Sequence, residues 1–126
     1  MKNPYRIKIN LQRYTIAVPK DLLFVSGDNE TCKLEFEVMT DDYSGFNYAD
    51  KVAKLVMRLP ETNTLLIYAC AIDDGIAKLT LPIEAITEIG KHLCELQILD
   101  SETQAIRVTC PRFTYPVRQS LEKEVI

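Results

Sequence analysis

The chain is predicted to be all-β, a sandwich of seven or eight antiparallel strands with one short crossover helix. Three observations lead there. Apolar and polar residues alternate with a period of two through Tyr5–Leu11 and Cys32–Val38, and alternation resumes in His92–Leu99 through Cys94, Leu96 and Ile98, the pattern of a strand with one packed and one wet face. Turn residues recur between these runs at near-regular spacing. Only one stretch, Pro82–Ile89, changes the period, with Ile83, Ile86 and Ile89 three apart.

The first strand carries Ile7, Ile9 and Leu11 on one face and Arg6, Lys8 and Asn10 on the other. A break at Pro19-Lys20-Asp21 precedes the short apolar run Leu22–Val25, which enters the turn Gly27-Asp28-Asn29-Glu30. Glycine reaches positive φ without steric cost, and Asp and Asn bond their own backbone, so this turn delivers the chain into the most regular strand. There Cys32, Leu34, Phe36 and Val38 share one face, and Lys33, Glu35 and Glu37 the other. Thr40–Asp50 is a surface loop by composition.

Val52–Leu59 is a strand with Val52, Lys54, Val56 and Arg58 on one face and Ala53, Leu55, Met57 and Leu59 on the other, and the chain returns as Thr64–Ile72 through Pro60-Glu61-Thr62-Asn63, so the two form a hairpin. Asp73-Asp74-Gly75 has the chemistry of a type I′ turn and leads into Ile76–Leu81. Pro82 at a first helical position and Gly90 just past the end bound two helical turns that cross between sheets. His92–Leu99 and Gln104–Cys110 flank the polar turn Asp100–Thr103. Pro111 has no N–H to donate and belongs at an edge or bulge, before Phe113, Tyr115 and Val117 close the last strand.

A length of 126 residues suits one domain with a continuous core. The 15 Lys and Arg are scattered singly against 18 Asp and Glu, for a net charge of -3, so no basic patch attracts a nucleic-acid backbone. The N-terminus has no secretory h-region. The longest apolar run, Leu65–Ile72, is far short of the roughly 20 residues that span a bilayer. The expectation is a protein made in a cytoplasm, with no nucleic-acid or membrane partner.

Cys32, Cys70, Cys94 and Cys110 lack C-x-x-C spacing and lie in phase with apolar neighbours. They read as buried thiols acting as small hydrophobes. The alternative is a Cys32–Cys94 bridge, at a separation that suits the inter-sheet disulfide of immunoglobulin domains. Against it, the chain has no Trp, and His92 stands where those domains carry a corner tyrosine. His92 is the single histidine and the only base for a Ser-His or Cys-His mechanism. Its place at a strand start reads as a partly exposed structural residue, with no nucleophile elbow to pair with it. Asp41-Asp42 and Asp73-Asp74 read as turn solvation, since neither stretch has the ligand spacing of a calcium loop. No phosphate-binding glycine motif occurs, and Asn29-Glu30-Thr31 matches a glycosylation sequon inside a turn. No enzyme activity, metal or cofactor is expected.

Two features remain. Tyr43, Phe46 and Tyr48 stand among small polar residues in the Thr40–Asp50 loop and form either a contact surface or a fold-back over the core. As a contact surface they would let a glycan-binding or adhesion-type sandwich stack on sugar rings. From Arg118 onward, Leu121 and Val125 lie four apart around Glu122-Lys123-Glu124, the start of a helix too short to be stable alone, so a longer protein is expected to continue it.

Val25-Ser26-Gly27-Asp28, Leu34–Val38, Gly75-Ile76-Ala77-Lys78-Leu79-Thr80-Leu81-Pro82, Gly90 with Leu93–Asp100, and Phe113-Thr114-Tyr115-Pro116-Val117 follow the first strand in fixed order. Together these segments resemble the N-terminal domain of the phage baseplate upper protein family, from tailed phages and prophages of Gram-positive bacteria. The resemblance implies an immunoglobulin-like β-sandwich over residues 1–117 that docks onto a baseplate core, and a helical linker beginning at 118–126. It also implies a trimer formed through that helix, with other baseplate proteins and a receptor-binding protein as partners. The location it implies is the virion tail baseplate, and the role is structural, so no catalytic residue carries over.

Overall fold

The apolar faces read from the sequence close on one another. A computed structural model of the chain describes residues 4–28 and 31–121. Among them run β1 (Tyr5–Asn10), β2 (Thr15–Ala17), β3 (Phe24–Val25), β4 (Lys33–Met39), β5 (Lys51–Arg58) and β6 (Leu65–Asp73). They are followed by β7 (Ile76–Thr80), β8 (Gly90–Asp100), β9 (Ile106–Thr109) and β10 (Phe113–Arg118). Hydrogen bonding orders them β2-β1-β4-β7-β6-β5-β8-β10-β3, with β9 also paired to β8.

This continuous sheet curls into two facing layers because β6 changes partner along its length. Its Cys70 end of the first segment pairs with β5, through Arg58↔Leu65 to Ala53↔Cys70. Its last residues, Ala71 to Asp73, pair with β7 instead. The strand therefore turns the corner between layers. Phe36 of β4 and Phe113 of β10 meet across the gap with ring centroids 5.8 Å apart.

The core is the set of alternating residues expected: Leu34, Phe36 and Val38 from β4, Ala53, Leu55 and Met57 from β5, Cys94, Leu96 and Ile98 from β8. A fully buried aliphatic or aromatic side chain contributes roughly 1.5–3 kcal/mol, so this one interior dominates the stability of the fold. Tyr115 stands at its centre. Its hydroxyl donates to the Ala85 carbonyl at 2.6 Å, and its ring meets Phe24 edge-on at 5.3 Å.

All-β holds, but the strand count and the uniform antiparallel pairing do not. Ten strands are present among the described residues, and β1 runs parallel to β4 and β3 parallel to β10. The parallel pairs arise because β2 and β3 lie between β1 and β4 in sequence and carry the chain from one layer's edge to the other's. β2 was not legible because its hairpin with β1 turns through Leu11–Tyr14, which contains no glycine; Tyr14 itself takes the positive φ of 54°.

The crossover is also shorter than expected. Instead of two helical turns over Pro82–Ile89, a single 3-10 turn spans Ile83–Ile86. Of the three spaced isoleucines only Ile86 is buried, while Ile83 and Ile89 are exposed. Glu88 ends the turn by reaching away from it: its carboxylate accepts from the Glu61 and Thr62 amides at 2.8 and 2.9 Å and from the Thr62 hydroxyl at 2.6 Å.

The Asp-Gly turn forms as expected, whereas the expected Gly27–Glu30 turn lies partly outside the described residues. Asp74 and Gly75 both take positive φ, 52° and 75°, in a two-residue link between β6 and β7. Pro111 falls between β9 and β10, both of which pair with β8.

Candidate protein-contact surfaces

His92 is fully buried, which corrects the expectation of a partly exposed residue. Its Nε2 lies 2.9 Å from the Glu88 carbonyl oxygen, an acceptor, so Nε2 carries the proton. The ring stacks on Tyr115 with centroids 4.6 Å apart and planes 19° from parallel. Nδ1 is buried with no hydrogen-bond partner, and burial lowers the histidine pKa. The imidazole is a packed plate in the core, stacked on Tyr115.

None of the four cysteines is in a disulfide, so the Cys32–Cys94 bridge is not formed. Burial raises the Cys94 pKa, and pushes the Cys70 and Cys110 thiols up to about 12. Such thiols are protonated and unreactive at neutral pH. Cys70 is half-buried rather than fully buried, since it lies on β6 where the sheet turns.

The acidic pairs serve the turns. Asp41 Oδ1 accepts from the amides of Tyr43 and Ser44, both at 2.8 Å, and Asp42 takes Asn10 and Arg13. Asp73 pairs with Lys78 at 3.0 Å. Among the described residues no three His, Cys, Asp or Glu side chains gather as metal ligands, and no helix is long and apolar enough to cross a membrane.

The three loop aromatics divide. Tyr43 is 93% exposed. Phe46 and Tyr48 instead pack edge-to-face at 4.9 Å and lie against the hydrophobic core. A bridge between Met39 and Gly45 folds the loop back, with the Phe46 amide donating to Val38 O at 2.9 Å. The Tyr48 hydroxyl is buried without a partner, and burial raises its pKa. The structure therefore separates Tyr43 from the other two.

Strand registers place this loop at one pole of the molecule. Lys51 of β5 pairs with Asp100 of β8, and Asn10 of β1 with Met39 of β4. The turns Leu11–Tyr14, Thr40–Asp50, Asp74-Gly75 and Ser101–Ala105 consequently share that end. They are tied together there: Arg13 to Asp42 at 2.6 Å, Ser101 N to Asp50 O at 3.0 Å, and the Tyr14 hydroxyl to Thr109 O at 2.9 Å. Asp100, held between Lys51 and Arg107, has its carboxyl lowered to about 2, chiefly by the Arg107 hydrogen bond.

At the opposite pole lie the start of β1 and the end of β10, where Ser26 N donates to Arg118 O at 2.8 Å. Beyond β10, Leu121 is 79% exposed. Val125, its expected partner on a linker helix, lies outside the described residues, as does most of 118–126.

A further surface was missed by the sequence reading. On the outer face of β6, β5 and β8, Leu65, Val56 and Leu93 line a groove of about 200 Å³ with Arg58, Glu95 and Arg112 around it. Leu65 and Ile67 are 50% and 52% exposed. The available signal was that the polar face of β5 carries Val52 and Val56 beside Lys54 and Arg58, and that β6 does not alternate.

Comparison with known proteins found no matching family model and no curated protein similar in sequence. Among solved structures, the fold is similar to the N-terminal domain of phage TP901-1 ORF48, with a TM-score of 0.70 and 12% identity. The match covers 90% of this chain and 97% of that one. At this identity the likeness is one of fold.

Proposed function

We propose that this chain is a structural module of a bacteriophage or prophage tail baseplate. On this reading it is an immunoglobulin-like domain that anchors a receptor-binding-protein-presenting subunit to the baseplate core. The observation that carries the reading is the likeness of fold, over almost the full length of both chains, to a domain of a phage protein. The family resemblance of the strand and turn segments points the same way on separate grounds.

The polar arrangement supports it. Turns tied together at the end of the Thr40–Asp50 loop offer a rigid surface with Tyr43 at its tip, and the chain leaves β10 from the other end. A subunit docked by the loop pole would project its continuation away from the core, where a helical linker would trimerise and the receptor-binding protein would sit. Glycan binding, the alternative, is left with Tyr43 as the one strongly exposed aromatic of the three, whereas sugar stacking would draw on a platform.

The experiment is to tag the natural gene product in its source cells, induce any prophage, and sediment the lysate. The expected result is a tagged product travelling with tail-bearing particles and labelled at the baseplate by electron microscopy. A product that stays in the unsedimented fraction while particles form overturns the proposal.

A further inference from the structure

We propose that the outer face of β5, β6 and β8 binds an extended, acidic segment of a partner protein, with two apolar side chains of the segment in the groove between Leu65, Val56 and Leu93 and a carboxylate at each end, over Lys91 and over Lys54. Strand registers set the rows of this face two residues apart along β8. Lys91 comes first, then Leu65, Arg58 and Leu93 abreast, then Ile67, Val56 and Glu95, then Ala69, Lys54 and Gln97. The middle rows supply an aliphatic floor, on which Leu65, Ile67 and Leu93 are all exposed.

The charges on the face select the occupant. The chain as a whole has a net charge of -3, yet here Lys54, Arg58, Lys91 and Arg112 stand against a lone carboxylate, Glu95. Glu95 is already served, accepting from Arg112 at 3.2 Å and from Gln97 at 2.7 Å. Among the described residues Lys54, Arg58 and Lys91 form no ion pair, and Arg58 donates to the two oxygens of Asn63 at the long distance of 3.4 Å.

A neutral apolar cover over Leu65 and Leu93 would strip water from the Arg58 guanidinium between them and return nothing; a nearby carboxylate replaces that water. The rows contain no aromatic ring on which a base could stack, so a nucleic acid would lose its usual hold. Lys54 is level with Gln97, six residues along β8 from Lys91, or about 20 Å in a strand. A segment of the pattern acid-x-apolar-x-apolar-x-acid has that span when extended, and its period of two puts all four side chains on one side. The contact uses neither pole of the molecule and does not rest on the baseplate reading.

The probe is the peptide Asp-Thr-Leu-Thr-Leu-Thr-Asp, blocked at both ends so that its side-chain carboxylates are its only charges, titrated to millimolar concentration into the isotope-labelled intact chain. Amide chemical shifts should move along Lys54–Arg58, Leu65–Ala69 and Lys91–Gln97, and less so as salt is raised. Asn in place of both Asp residues of the peptide should weaken binding by about tenfold or more, as should Arg58→Glu combined with Lys54→Glu in a chain whose spectrum stays dispersed. A titration that moves no amide on this face overturns the proposal. So do shifts produced equally by the Asn peptide or by sulfate alone, and shifts that the two charge reversals leave undiminished.

Discussion

His92 carries a consequence for acid stability that its position in the sequence conceals. The ring is buried against Tyr115, Nε2 donates to the Glu88 carbonyl, and Nδ1 has no partner. Taking up a second proton would place a charge in the core beside no buried carboxylate. Burial therefore lowers the folded-state pKa, against a partial opposing pull from the Glu88 carbonyl and from the carboxylates of Glu88 and Glu61. Below the unfolded value of about 6.5 the unfolded chain binds the proton more readily than the folded one. The contribution of His92 to stability is thus complete above that pH and is lost as pH falls through the folded pKa. Urea unfolding at successive pH values from 7.5 to 5 should show falling stability, and His92→Phe, which keeps a plate against Tyr115, should flatten the slope. An equal slope in the variant would place the acid sensitivity elsewhere.

At the scale of elements, the join between the crossover and β8 is the most constrained point. Gly90 takes a φ of 125°, and a Cβ built on it would lie 3.3 Å from both Cβ and Cγ of Pro60. The Pro60–Asn63 turn is held in place from the same side by Glu88. A side chain at residue 90 meets an unfavourable backbone region and a proline ring that has little freedom to move aside. Gly90→Ala is expected to destabilise the fold by about 1–3 kcal/mol, read as a shift in the urea midpoint at constant slope. The sequence already marked Gly90 as a terminator, but as the end of a helix. Its role is to start β8 next to the β5–β6 turn, a relation between segments about thirty residues apart that no local pattern carries.

For the molecule as a whole, stability rests on a shared interior with no covalent staple. Cys32 and Cys94 belong to that interior as thiols, with Leu34, Leu96 and Tyr115 around the same core. A reducing agent should leave the thermal midpoint unchanged, whereas a midpoint that falls on reduction would show a bridge in the protein as purified. The same wholeness explains the surfaces. The loop pole and the opposite pole where β10 ends are properties of how the strands of the described residues are ordered, and each belongs to several segments at once.

The sequence by itself determined which faces are buried. Leu34, Phe36 and Val38, opposite Lys33, Glu35 and Glu37, can turn to only one side of a pleated strand, and the hydrophobic effect chooses that side without reference to partners. It also determined the Asp74-Gly75 turn, because positive φ at both positions is a local steric matter. Tertiary structure alone decided that β1 and β4 run parallel, that β6 serves two layers, and that Phe46 and Tyr48 turn inward while Tyr43 does not. Alternation states that a strand has a neighbour and a core side; it carries no information about which strand the neighbour is. That choice is made by long-range hydrogen bonding and packing, and it creates the buried histidine.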